Sequence, residues 1–323
     1  MKKFRMMSFF FLLGPSFLPN FIIETDTGGG NKPETAKDEF KSPELEKVAS
    51  GLKFPEGPAW NGKDTLYVSN CYGDWITRIK ADKADTFLQA PSKPYQFEKT
   101  NGLTVYKDGS IFACEYGKGA ILRFFPNGTC QAVSEGFQGK RFKKPNDLAF
   151  GPKGDLYFTD PLAYDKNNLD GVIYMISADF KTTKPVYSGL GFPNGIAFSS
   201  DGKFAYVCES AFQRIIRFPV KEDGTFGDYT VFVDLPGGDP DGIGFDVEGN
   251  LYAAHFGGGG VYIISPDGKI KGKILTPGKK PSNVEFAGDD LKTLYITEDE
   301  TNAVYKTKVD IPGLRLFYSP EIK

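Results

Sequence analysis

From about residue 44 onward the chain is built of short apolar runs that alternate with polar positions, such as Leu148–Phe150 and residues 156–159. Gly-containing turns such as Lys153-Gly154 and Asp201-Gly202 separate them. Successive strand side chains point to opposite faces, so two alternating runs around a tight turn predict a β-hairpin. The hairpin recurs as PEGPAWNGKDTLYVSN from Pro55, TNGLTVYKDGSIFACE from Thr100, PNDLAFGPKGDLYFTD from Pro145, PNGIAFSSDGKFAYVCE from Pro193, PDGIGFDVEGNLYAAH from Pro240 and PSNVEFAGDDLKTLYITE from Pro281. The intervals between these starts are 45, 45, 48, 47 and 41 residues. A third strand follows each hairpin (76–79, 120–125, 172–176, 215–218, 261–264, 304–306), and a fourth follows in several repeats (132–134, 185–187, 230–233). Four strands per repeat, six times over, predict an all-β fold: a six-bladed β-propeller with four-stranded blades around a central channel. Stacking the blades in a ring buries faces that one blade alone would expose. Residues 44–49 read as a fourth-type strand ahead of the first repeat, and they predict ring closure by completing the last blade. Residues 313–319 compete for that place.

The N-terminus is different in kind. Met1–Arg5 carries three positive charges, and residues 6–23 carry none, with an apolar run at 9–13. This predicts a signal peptide or an uncleaved signal anchor over residues 1–25, a flexible linker over 26–43 and the propeller over 44–323. The expected location is therefore exported, secreted or periplasmic, with membrane contact only through that segment. The net charge of −2 leaves no global field to recruit nucleic acid. One His rules out a His-rich metal centre, and four Cys without CxxC spacing argue for buried small hydrophobes.

The inner strand of each blade lines the channel, so the residue after the opening Pro or Thr sits at one mouth: Glu56, Asn101, Asn146, Asn194, Asp241 and Ser282. The ends of the second strands approach the same mouth: Asn70, Glu115, Asp160, Glu209, His255 and Glu298. Asn, Asp and Gly after Pro also serve as plain turn formers, and polar strand ends are commonly just solvated. Glu56 is a poor turn residue, however. Glu, Asp and several Asn together offer hard oxygen donors and about two negative charges, a set suited to Ca²⁺ and tolerant of Zn²⁺, Mn²⁺ or Mg²⁺.

The phrases EGPAW, KPNDLAFGPKGDLYFTDP, FPNGIAFSSDGK and DPDGIGFDVEGNLY closely resemble the gluconolactonase and regucalcin family, over nearly all of residues 44–308. That family is related to the diisopropylfluorophosphatases and paraoxonases. The resemblance implies one divalent cation held by Glu56, Asn146, Asn194 and Asp241, and hydrolysis of a lactone such as a sugar-acid lactone. It implies that Asp241 is the base or nucleophile. Asn101, Lys144 and His255 are the candidate substrate contacts, and Asp147 and Asp160 are candidates for orienting ligands. Two other functions compete: a metal-dependent esterase or organophosphate hydrolase on the same site, and a non-catalytic calcium-binding or recognition propeller. The partner expected in the first two cases is a small lactone or ester.

Overall fold

The structure is a computed structural model, and it describes residues 40–91 and 95–321. The expected targeting segment and most of the expected linker lie outside the described residues. Among the described residues no helix is long and apolar enough to cross a membrane.

The described residues form six antiparallel four-stranded sheets. Five are consecutive in sequence, each made of one hairpin phrase and the two strands after it. Their inner strands are Pro55–Trp60, Thr100–Val105, Leu148–Phe150, Pro193–Phe198 and Asp239–Phe245, for blades 1 to 5. In blade 6, Pro281–Ala287, Thr293–Glu298 and Ala303–Lys308 are joined by Glu46–Ser50, which pairs with Ala303–Lys308 at the outer edge. Inner strands touch in a closed cycle, including 1 with 2 and 1 with 6. The chain is thus a six-bladed propeller whose ends are tied together in one blade. Among the described residues the helical content is one short turn, Ser210–Phe212.

Alternation along the strands explains where the core sits. Neighbouring residues Tyr157 and Phe158 point to opposite faces of blade 3. Tyr157 packs with Ile196, Phe198 and Val207 of blade 4, and Phe158 packs with Phe112 and Cys114 of blade 2. The same division repeats around the ring, so each interface between blades holds its own apolar cluster. All four cysteines are buried and unpaired within this packing.

Residues 313–319 do not join a sheet as an edge strand. The segment crosses the far end of the channel instead. Gly313 bridges to Asp246, and the Leu314 amide donates to the Phe245 carbonyl at 2.7 Å. Phe317 packs against the clusters of blades 2, 3 and 4, and Pro320 lies against Gly62 of blade 1. The channel is therefore closed at that end and reached from the other.

Candidate active site

Each inner strand departs from regular pairing at the residue after its opening Pro or Thr. In blade 1 the register shifts between Glu56 and Ala59, in blade 2 between Thr100 and Leu103, in blade 4 between Pro193 and Ile196, and in blade 5 between Pro240 and Ile243. A bulge re-aims the side chain at that point and ends regular pairing. In blade 3 the strand begins only at Leu148. Asn146 and Asp147 there bond the Thr159 backbone individually, at 2.9 and 3.0 Å. Glycine after the site residue lets neighbouring inner strands close in. Gly57 has φ +48°, and a Cβ on it would collide with the Asn101 carbonyl; one on Gly195 would collide with the Asp241 carbonyl. The E-G, N-G and D-G pairs are thus a packing requirement of the channel as well as a site signature.

Glu56, Asn101, Asn146, Asn194 and Asp241 all become buried at this level. The side chains of Asn101, Asn146, Asn194 and Asp241 hydrogen-bond to no other described residue. Buried amides and carboxylates ordinarily find partners, so these oxygens are free to meet a ligand. Blade 6 contributes differently from the sequence-based expectation. Ser282 turns away, donating to the Pro55 carbonyl at 2.7 Å and pairing with Thr297. The next residue, Asn283, instead donates from its amide to the Glu56 carboxylate.

The ring of second-strand ends has a separate task. Asn70 accepts the Lys53 amide at 2.9 Å, and Glu115 accepts the amides of Glu98 and Lys99 at 2.8 and 3.1 Å. Asp160 accepts those of Lys143 and Lys144, Glu209 that of Gly191, and Glu298 that of Lys280. In five blades, therefore, a polar strand end clamps the loop that leads into the inner strand, and so fixes the start of the site residue's own segment. Glu115, Asp160 and Glu298 are committed to backbone amides, and Glu209 divides its oxygens between the Gly191 amide and the Arg214 guanidinium at 2.7 Å.

His255 holds the equivalent position in blade 5 and cannot clamp in the same way. Its Nε2 lies 2.9 Å from the Leu235 carbonyl, its ring packs against Tyr262, and the residue is 1 % exposed. Burial pushes its pKa down, so it is a neutral imidazole with Nε2–H donating. The contacts it makes are with this seam of the blade. Lys144 has its amide on Asp160 and its ammonium 5.2 Å from the Tyr116 ring centroid, at the rim.

The electrostatics are those of crowded acids. Burial raises the pKa of Asp241 strongly, and the charges of Glu56, Asp299 and Asp147 add to it. Glu56 is raised by burial and then by Asp147. Burial brings Asp147 up to about 7. Asp299 and Asn283 were not singled out from the sequence. Asp299 directly follows a strand-end acid and looks like a turn residue, and Asn283 stands one position past the ring residue of its repeat. Among the described residues no three His, Cys, Asp or Glu side chains close on one point as a metal cluster. What the mouth offers is two buried carboxylates, Glu56 and Asp241, with amide oxygens of Asn146 and Asn194 beside them. That all-oxygen, negatively charged set fits a hard divalent cation and no softer cofactor.

A six-bladed propeller with a buried acid-and-amide ring at one channel mouth is the class of protein that the fold and the mouth define. The comparisons give the particular group: residues 54–299 match the family described as SMP-30/Gluconolactonase/LRE-like region. The chain belongs to that family, whose lactonase members are hydrolases acting on lactone esters. It is 31 % identical over 294 residues to a gluconolactonase of Zymomonas mobilis, covering 82 % of this chain and 81 % of that protein. It is 30 % identical over 253 residues to the lactonase drp35 of Staphylococcus haemolyticus, covering 73 % and 74 %. Among solved structures it is similar to a gluconolactonase of Xanthomonas campestris (TM-score 0.72, 28 % identity, 84 % and 90 % covered). It also shares its fold with a calcium-binding regucalcin of Agrobacterium tumefaciens (TM-score 0.73, 19 % identity, 88 % and 98 % covered).

Proposed function

We propose that this chain is a cation-dependent lactonase whose site is the mouth formed by Glu56, Asn146, Asn194 and Asp241. One observation supports the reading: four buried, oxygen-bearing side chains stand at the inner-strand starts of four different blades at the open end of the channel, and three of them, Asn146, Asn194 and Asp241, lack a hydrogen-bond partner among the described residues. Two facing carboxylates in a buried site repel each other, and a bound cation relieves that repulsion. Ca²⁺ is the ion this oxygen set suits best. When bound, it would supply Lewis-acid polarisation of the lactone carbonyl.

The residues do the rest. Glu56 is held by the Gly57 amide at 3.2 Å and by Asn283, which makes it the fixed anchor of the site. Asp241 has no such partner and is the group free to act. Its carboxylate takes a proton from the attacking water as the water oxygen bonds to the carbonyl carbon. The proton then passes to the ring oxygen as the ester bond breaks. Direct attack by the Asp241 carboxylate is the alternative route, and ¹⁸O appearing in the protein after turnover in labelled water would identify it. Asn101 and Lys144 stand at the rim as substrate contacts. We also propose export of the chain, supported by the charged start and the uncharged run that follows; cell fractionation tests it.

The test is a panel of lactones, esters and organophosphates, with and without chelator, on wild type and Asp241→Asn. The variant keeps an oxygen donor and the shape but loses charge and basicity. It should retain measurable cation binding and lose about 10²–10⁴-fold in rate. Near wild-type turnover by the metal-saturated variant would reduce Asp241 to a ligand.

A further inference from the structure

The carboxylates that end second strands all have hydrogen-bond donors, but the carboxylate that follows one of them has none among the described residues. Asp299 follows Glu298 in blade 6 and is 7 % exposed, yet neither of its carboxylate oxygens has a hydrogen-bond partner among the described residues. Its backbone is fixed in place. Its own amide is tied to the Lys280 carbonyl at 2.9 Å, and Glu298 grips the amides of Glu300 and Thr301 just beyond, at 3.1 and 2.7 Å. Its bond to Lys280 ties Asp299 to the residue just before Pro281, where the inner strand of blade 6 begins, so it lies at the mouth end, and its carboxylate interacts electrostatically with Glu56, Asp241 and the Cys71 thiol. The Lys280 ammonium is the one opposing charge acting on it. A buried carboxylate with no donor is costly and persists where something positive compensates it.

We propose that Asp299 is a third carboxylate of the cation site, reaching the ion through a bound water and raising the charge around it from two negative to three. The proposal rests on the cation reading above and deepens it. A water-bridged position agrees with the finding that no three acidic side chains close directly on one point. Blade 6, whose Ser282 faces away from the channel, thereby supplies a charge to the site.

The test is calorimetric titration of wild type and Asp299→Asn with Ca²⁺ alone and with Tb³⁺ alone, plus denaturant unfolding of both in chelator. Even with the screening of water, a unit charge about 5 Å from a divalent ion is worth roughly tenfold in affinity. The interaction scales with the charge of the ion, so a loss of about tenfold for Ca²⁺ implies about 30-fold for Tb³⁺. In chelator the variant should be at least as stable as wild type, because the amide has no charge to desolvate. The proposal is overturned if both affinities are unchanged, or if both fall by the same factor. It is also overturned if only the stability in chelator falls, since that marks a structural carboxylate. If wild type itself binds neither ion, the cation reading fails and takes this proposal with it. Should Asp299→Asn fail to fold, Asp299→Ser gives the same comparison.

Discussion

Glu285 provides a test that needs no substrate. It lies on the inner strand of blade 6 and lines a cavity of about 90 Å³ inside the channel, with Asp147, Asn283 and Trp60, closed below by Leu314–Phe317. Its Oε1 accepts the Trp60 amide at 3.3 Å. Burial, opposed by that hydrogen bond and reinforced by the Asp147 charge, brings its pKa from 4.5 up to about 8. The folded protein therefore keeps a proton that the unfolded chain releases. The corresponding stability is fully present below pH 4.5 and is lost as pH rises through about 8. Glu285→Gln retains an oxygen for the Trp60 amide and has no proton to lose. At about 1.4 kcal/mol per pH unit, the variant should gain about 2 kcal/mol over wild type at pH 6, with an upper bound of about 5 kcal/mol above pH 8. Urea unfolding in chelator, from pH 4 to 9, measures the difference directly. Equal pH slopes for the two proteins, or a variant less stable than wild type at pH 8, would refute the reasoning.

Three further outcomes follow from the same geometry. Glu56→Gln should weaken the cation, so added metal should restore part of its activity; activity unresponsive to metal from micromolar to millimolar would show that Glu56 is no ligand. Phe317→Ala removes a half-buried ring that joins the C-terminal segment to the clusters of blades 2, 3 and 4, and should cost about 1–3 kcal/mol in urea unfolding; a cost near zero would mean that the segment is not packed on the channel end. Glu115→Gln weakens the clamp on the Glu98 and Lys99 amides. It should lower stability by about 1–2 kcal/mol and raise KM more than it lowers kcat, an expectation that steady-state kinetics checks.

Most of the architecture was legible because it is periodic. The six phrases, the hairpin turns and the strand ahead of the first repeat map one to one onto the sheets, and alternation such as Tyr157–Phe158 assigns each face to a neighbouring blade. Ring closure was open between residues 44–49 and 313–319. Hydrogen-bond capacity decides it, because Glu46–Ser50 pairs along Ala303–Lys308 with one register shift between Lys47 and Ala49, whereas the later segment is spent on sealing the channel. The second polar ring was visible as a pattern, but its task was not. Sequence shows that Glu115, Asp160, Glu209 and Glu298 reach the mouth end, and the fold turns each of them back onto at least one loop amide, with Glu209 also holding Arg214.

The same contrast explains where function resides in this fold. Repetition builds the scaffold: bulge, glycine, clamp and core cluster recur blade after blade because each blade meets the same packing problem. Chemistry needs different groups converging on one point, so it has to come from positions that break the repeat. Glu56 stands where a turn former would suffice. Asp241 stands opposite with no partner, and in blade 5 the clamping acid is replaced by His255. Blade 6 turns Ser282 away from the channel to a backbone carbonyl and presents Asn283 and Asp299 in its place. The last of these departures lies outside the aligned ring positions. For that reason a search of the repeat finds Glu56 and Asp241 and passes over Asp299, although both of its buried oxygens lack a partner among the described residues.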